Sequence, residues 1–139
     1  MEEIKHVKYG DKFYTIFEQE GIVSANTTKR KIDNFPNVDS RHDYVLWMAA
    51  DQCDAQEDDW YWAVAKCDER DEWDEKVGVD IAGEKLDLKN HTRLAKKYDQ
   101  MHRLLLECAN YCYGECMKHY SKAKRISEDL DNYHMKEKE

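Results

Sequence analysis

The sequence predicts an α+β fold, in which an N-terminal antiparallel β-meander of about four strands packs against a short helix and a long C-terminal amphipathic helix. In the first half, runs of period two are separated by Gly-Asp and Glu-Gly turns, the pattern of a meander. In the second half, apolar residues recur at steps of three and four, the pattern of an amphipathic helix. The 139 residues are expected to form a single domain, 1–139, because this length can bury a core without metals or disulfides.

Four runs are expected to be strands: "EIKHVKY", "KFYTIFEQ", "IVSANTT" and "WYWAVAKC". Gly10-Asp11 and Glu20-Gly21 supply the first two turns. The fourth run carries Trp60, Trp62, Val64 and Lys66 on one face and small apolar residues on the other, which suits a helix lying across it. The strand-rich part is therefore assigned to residues 1–67.

One segment inside the strand-rich part, 40–53, favours a helix. Asp39 or Ser40 can cap its start, and Ala49 and Ala50 favour helical structure. The compact apolar run 44–48 leaves a buried strand as the alternative.

The helical part is assigned to residues 74–136. Val77, Ile81 and Ala82 indicate a short helix, capped by Asp71 or Asp74, with a break expected around Leu88–Asn90. The final helix has the longest stripe, which advances by 36 residues in ten steps: Leu94, Tyr98, Met101, Leu105, Cys108, Cys112, Cys116, Tyr120, Ala123, Ile126 and Leu130. From Thr92 to Tyr133 it would extend roughly 60 Å, so we expect either a hairpin at Gly114 or coverage by a second subunit, with dimerisation favoured.

Charge is strongly segregated along the chain. Asp plus Glu number 30 and Lys plus Arg 22, for a net charge of −8. Residues 39–87 carry a net charge of −11, whereas residues 88–126 carry +6. The negative total makes duplex DNA an unfavourable partner, because phosphate contacts require basic residues.

The five cysteines are odd in number and form no C-x-x-C pair. We find no secretory signal pattern and no apolar run of about 20 residues that could span a bilayer. These features predict free thiols in a reducing cytoplasm and no membrane association.

The sequence offers few candidates for catalysis or metal binding. Cys108, Cys112, Cys116 and His119 share one helical face, but zinc sites usually draw ligands from two segments, so packing is the favoured interpretation. The "acidic elbow" (Asp68, Glu69, Asp71, Glu72, Asp74 and Glu75) lacks the central glycine of a calcium loop. Because no motif places a base beside Cys67 or another nucleophile, we expect no cofactor, no metal and no catalytic residues.

Two surfaces are candidates for binding. The acidic residues Asp58, Asp59, Asp68, Asp71 and Asp74 could contact a basic partner, with electrostatic steering of association. Alternatively, Arg93, Lys97 and Arg103 could bind nucleotide phosphates, with aromatic side chains stacking on the base.

The stretch "VAKCDERDEWDEKVGVDIAGEKL" resembles a pattern found in small accessory proteins of phages and prophages of Gram-positive bacteria. The matching residues are Cys67, Asp71, Trp73, Asp74, Gly78, Ile81 and Ala82. The resemblance covers about a fifth of the chain and specifies a strand–elbow–helix junction. It implies a role in countering host defence, as an inhibitor of CRISPR effectors or as a sponge for the cyclic nucleotide signals of Thoeris-type immunity.

The sequence therefore predicts a phage-derived, non-enzymatic anti-defence protein that acts by binding in the host cytoplasm. The first hypothesis is an acidic inhibitor that occludes a basic, nucleic-acid-binding surface of an immune effector such as a CRISPR nuclease. The second is a cyclic nucleotide sponge, and the third is a small hydrolase. A homodimer or higher homo-oligomer is expected.

Overall fold

The computed structural model describes residues 3–28, 30–56 and 60–138, with the side chains of the last helix described up to Tyr133. The predicted α+β class is confirmed. In chain order, the elements are β1 (Ile4–Tyr9), β2 (Lys12–Phe17), β3 (Ile22–Thr28), α1 (Ser40–Gln52), β4 (Trp60–Lys66) and α2 (Glu75–Lys138).

The four strands form one antiparallel sheet in the order β1-β2-β3-β4. All four predicted strands are present, and the two predicted turns join the first three. Gly10 and Gly21 both have positive φ, 63° and 66°, a conformation that glycine adopts without steric cost. The sheet is thus a meander whose third and fourth strands are connected through α1.

One face of the sheet packs against the first turns of α2. The small face predicted for β4 is confirmed, because Ala63 and Ala65 are buried there together with Ala82 and Leu86 of the helix. Trp73, Val79, Val7 and Tyr61 pack around the margin of this core. The remaining buried members are Tyr14, Ile16, Val23 and Ala25.

Two helix positions come very close to the sheet. A Cβ added at Gly78 would lie 2.8 Å from Cγ2 of Val23, and one added at Gly83 would lie 2.7 Å from the Tyr14 hydroxyl. Tyr14 can move its flexible end, whereas Val23 is fully buried on β3. Gly78 is therefore the position at which the helix–sheet distance requires the absence of a side chain.

The opposite face of the sheet is open and aromatic. Phe13, Trp60 and Trp62 are 41%, 47% and 62% exposed, and the rings of Phe13 and Trp60 meet edge to face at 6.1 Å. Lys8 lies over the Phe13 ring, 5.2 Å from its centroid. This face contributes little to the described core.

Helix α1 begins as the sequence predicts. Asp39 is its N-cap, and its carboxylate accepts a hydrogen bond from the His42 amide at 3.0 Å. The amide of Ile32, in the loop before α1, donates to the carbonyl of Ala55, which lies just after the end of α1, at 3.0 Å. Both side chains are buried. The loop that begins near residue 30 is thereby tied to the C-terminal end of α1.

One expectation for the second half is wrong, because the chain does not break around Leu88–Asn90. Of the two alternatives at Gly114, the hairpin does not form, since α2 runs from Glu75 to Lys138. Leu86 and Asn90, four residues apart, are both buried on one helix face. Their packing outweighs the weak helix preference of asparagine, and one glycine costs only about 1 kcal/mol in a helix.

The chain divides into two units, Met1–Met101 and His102–Glu139. The first contains the sheet, α1 and the beginning of α2. The second is the remainder of α2, about 55 Å of helix from residue 102 to 138 at 1.5 Å per residue. The expectation of a single domain spanning the whole chain stays a prediction.

We expect Gly78→Ala to destabilise the first unit by about 1–2 kcal/mol, because crowding against Val23 exceeds the gain in helix propensity. Gly114→Ala is the matched control, since a Cβ there meets nothing within 4 Å. It should leave stability unchanged or raise it by up to about 1 kcal/mol. Urea denaturation monitored by circular dichroism measures both, and equal effects of the two substitutions would contradict the packing argument.

Candidate functional site

The acidic elbow is a compact junction between β4 and α2. Asp74 accepts hydrogen bonds from the amides of Lys76 and Val77 at 3.1 and 3.3 Å, so it caps α2 as one of the two predicted candidates. Trp73 is partly buried against the core and lies beside both Gly21 and Gly78. The elbow is therefore held by packing and capping.

Cys67 closes the elbow from the strand side. Its amide donates to the Gly21 carbonyl at 2.7 Å, and its Sγ lies 3.4 Å from the Asp68 carbonyl and 3.7 Å from the Asp71 carbonyl. The thiol is a hydrogen-bond donor to the backbone of the loop. This arrangement gives Cys67 a structural role in the junction.

Several elbow carboxylates are partnered within the chain. The Asp68 carboxylate accepts hydrogen bonds from Nε and Nη2 of Arg70 at 3.3 and 3.2 Å. These hydrogen bonds hold the pKa of Asp68 below its ordinary value. Glu75 pairs with Lys5 at 3.1 Å. The predicted acidic surface is thus partly neutralised at Asp68, while Asp74 is occupied by capping.

The remaining elbow acids present charge to solvent. Glu69, Asp71 and Glu72 are exposed, and none of them forms an ion pair with another described residue. Asp58 and Asp59, the other two members of the predicted acidic surface, lie outside the described residues. Among the three described members of the predicted acidic surface, Asp68 has an ion pair and Asp74 caps a helix, whereas Asp71 has neither role.

A basic groove lies along α2 beside β4. It has a volume of about 520 Å³. Its lining includes the predicted pair Arg93 and Lys97 and two further cations, Lys89 and Lys96, beside Tyr61. No carboxylate is among the described residues that line it. In a chain of net charge −8, this is a concave surface of positive potential. We call these five residues, with Leu88, Thr92 and Gln100, the basic groove.

Three groove cations also hold the surrounding backbone. Lys89 Nζ donates to the Trp62 carbonyl at 2.6 Å, Arg93 Nη1 to the Arg30 carbonyl at 2.7 Å, and Lys97 Nζ to the Cys53 carbonyl at 2.8 Å. One turn earlier, Lys85 Nζ donates to the Val64 carbonyl at 3.0 Å. The cations are therefore fixed in position by bonds to neutral acceptors, and their full positive charge is retained.

Arg93 has an additional unusual feature. Its Nη2 is buried and has no hydrogen-bond partner among the described residues. A buried guanidinium nitrogen without an acceptor is costly, and an anion bound in the groove would offset part of that cost electrostatically.

Arg103, the third predicted nucleotide-binding residue, belongs to the second unit and does not line the groove. Lys89 and Lys96 lie on the same basic helix face as the predicted pair, because Lys89, Arg93, Lys96 and Lys97 follow helical spacing. Sequence reasoning missed Tyr61 as a groove residue. Only the strand register places Tyr61 beside them.

The cysteine stripe lies open. Cys108, Cys112 and Cys116 are exposed, so the prediction that they pack is wrong within one chain. Glu115 approaches His119 at 3.7 Å, but no cluster of three or more metal-ligating side chains is found among the described residues.

Comparisons of the chain with protein-family models, with curated proteins and with solved structures give no match. Across the residues described, no helix combines the length and apolarity needed to span a bilayer.

Replacing the Asp74 cap by Ala should destabilise the first unit by about 1 kcal/mol, the usual cost of a lost N-cap. Asp71→Ala removes an equal charge from the same loop without removing a cap, so it should change stability by less than about 0.5 kcal/mol. Thermal denaturation at neutral pH compares the two. Similar losses would indicate that charge, and not capping, governs the elbow.

Proposed function

We propose that this protein is a non-enzymatic binding protein that captures a phosphate-bearing nucleotide in the basic groove. The observation that supports it is the convergence of Lys89, Arg93, Lys96 and Lys97 on one groove whose described lining contains no carboxylate. A groove of about 520 Å³ falls within the roughly 300–1,000 Å³ typical of small-molecule sites.

The groove offers both parts of nucleotide recognition. Ammonium groups bind phosphate oxygens through charge-assisted hydrogen bonds. The Arg93 guanidinium, whose Nη1 already donates to the Arg30 carbonyl and whose Nη2 is buried, adds its positive charge to the groove. Tyr61 supplies an aromatic surface for a base. A ligand with two phosphates fits the spread of cations from Lys89 to Lys97, which are two helical turns apart, about 12 Å.

The biological role that we propose is sequestration of a cyclic nucleotide immune signal by a phage-derived anti-defence protein. The resemblance of the strand–elbow–helix junction to phage accessory proteins motivates this role, and the groove supplies a place for the ligand. We place the protein in the cytoplasm of the host bacterium, where its five thiols remain reduced, and expect it to act as a homo-oligomer.

Capture and release distinguish this role from catalysis. The protein is incubated with a panel of cyclic nucleotides, separated from free ligand and heated, and the supernatant is analysed by mass spectrometry. A sponge returns the nucleotide intact, whereas a small hydrolase returns a product. A panel with no retained nucleotide would contradict the proposal.

Lys96→Glu should weaken nucleotide binding by about tenfold or more, since a charge-assisted hydrogen bond contributes roughly 1.5–3 kcal/mol. Lys96 has no structural hydrogen bond among those described, so its replacement should leave the fold unchanged. Arg93→Ala should weaken binding as well. Lys76→Glu makes the same charge change on an exposed position of α2 outside the groove, and calorimetric titration should show that it binds like the original protein.

A second candidate function is favoured by the solvent-facing charges of Glu69, Asp71 and Glu72. In this role the acidic elbow occludes a basic, nucleic-acid-binding surface of an immune effector such as a CRISPR nuclease. Three carboxylates within four residues can imitate closely spaced phosphates. Such a complex forms rapidly and weakens as salt screens the attraction.

The triple variant Glu69→Gln, Asp71→Asn, Glu72→Gln should weaken a complex with a guide-free CRISPR nuclease, measured by interferometry over a salt series. Asp68→Asn is the control, because Arg70 already neutralises that carboxylate. An equal loss in both variants, or a complex insensitive to salt, would contradict the acidic-inhibitor role. Loss of this complex leaves nucleotide capture unaffected, so the two functions are tested separately.

A further inference from the structure

The second unit presents an apolar stripe that the chain itself leaves exposed. Within residues 105–130 the stripe consists of Leu105, Cys108, Cys112, Cys116, Tyr120, Ala123, Ile126 and Leu130. Leu105 is partly buried and the other seven are exposed; Tyr120, Ile126 and Leu130 are 68%, 54% and 55% exposed. Helices in proteins gain most of their stability by packing an apolar face. A helix with this pattern therefore requires a partner surface.

We propose that this stripe binds the same stripe of a second copy of the chain, with the two helices antiparallel and the two-fold axis close to Met117. Two properties of the stripe select this occupant, namely its symmetry and its charge pattern. The inference concerns only the second unit and does not rest on the nucleotide or inhibitor functions.

The stripe is symmetric, to within about one residue, about a point between residues 117 and 118. Reversing the helix there brings Leu105 to the level of Leu130, Cys108 to that of Ile126, Cys112 to that of Ala123 and Cys116 to that of Tyr120. Two levels then combine a cysteine with a larger side chain, one pairs two leucines and one pairs cysteine with alanine, so no level brings two bulky aromatic rings together. A two-fold interface needs such a self-complementary patch.

Charge selects the antiparallel orientation over the parallel one. Lys118, Lys122, Lys124 and Arg125 form a basic cluster of four within eight residues. A parallel, in-register pair would place two such clusters at the same level. An antiparallel pair centred at residue 117 offsets them by about ten residues, or roughly 15 Å, which exceeds the Debye length of about 8 Å at physiological ionic strength.

The antiparallel pair also gives each basic cluster a suitable counterpart. Residues 118–125 of one copy lie opposite residues 109–116 of the other, whose one charged residue is Glu115. Tyr111 and Tyr113 lie in that segment and are 71% and 68% exposed, so they can accept cation–π contacts from the facing lysines. Lys122 and Lys124, the members of the cluster that flank the stripe, thus lie at the levels of one carboxylate and two aromatic rings.

Oligomeric state tests the interface. Sedimentation equilibrium of the full chain under reducing conditions should show a dimer. Ile126→Glu should raise the dissociation constant by about tenfold or more, because it buries an unpaired charge at two symmetric places. Ser121→Glu, on the side of the helix away from the stripe, introduces the same residue and should leave the dissociation constant unchanged.

The cysteines test the orientation. Variants retaining one of the three stripe cysteines, with the other two changed to Ser, are oxidised and resolved by non-reducing electrophoresis. The variant lacking all three gives the background from Cys53 and Cys67. In the antiparallel pair, copies of Cys116 are offset by about 3 Å along the axis, copies of Cys112 by about 15 Å and copies of Cys108 by about 27 Å. Only Cys116 should form a disulfide efficiently, because bridged Cα atoms lie within about 7 Å.

Three results would overturn the proposal. A chain that sediments as a monomer at every concentration would show that something other than a second copy covers the stripe. A dimer that Ile126→Glu and Ser121→Glu affect equally would place the interface elsewhere. Equal disulfide formation by all three cysteines would establish a parallel pair.

Discussion

The close approach of α2 to the sheet governs the first unit. It depends on small residues on both surfaces, with Ala63 and Ala65 on β4 and Gly78 and Ala82 on the helix. At Gly78 there is no room for a Cβ beside Val23. Because the helix lies so close, lysine side chains one and two turns further along can reach the carbonyls of β4. The positions of Lys85 and Lys89 over β4 therefore follow from the packing of small residues in the core.

The acidic and basic segments of the chain form different kinds of contact in the fold. Part of the acidic segment is used locally, since Asp74 caps a helix, Asp68 binds Arg70 and Glu75 binds Lys5. The basic residues Lys89, Arg93 and Lys97, in contrast, bond to neutral carbonyl oxygens. Such bonds orient a cation without cancelling its charge. The groove cations therefore remain available to an anion, although the sequence has more acids than bases.

The sequence was sufficient for the elements whose signal is local. Period-two runs and glycine turns predicted all four strands. Asp39 and Asp74 were each one of two candidate helix caps, because capping needs only a short side chain at the right offset. The continuity of α2 was missed at Asn90, whose burial beside Leu86 is a tertiary effect that helix propensity does not contain. The hydrogen bonds from Lys89, Arg93 and Lys97 to backbone carbonyls could not be predicted from the sequence either. They depend on which carbonyls of β4 and of the loops lie beneath the helix, and this is set by the tertiary structure.

The hydrogen bonds from Lys85 and Lys89 to the carbonyls of Val64 and Trp62 also affect how the sheet meets other chains. β4 is the last strand of the sheet, and its outward carbonyls would otherwise be acceptors for an added strand. Two ammonium groups occupy these acceptors, and any incoming strand would have to displace them. Propagation of the sheet into fibrous aggregates through β4 is thereby disfavoured, so one pair of lysines shields the edge of a strand that carries two exposed tryptophans.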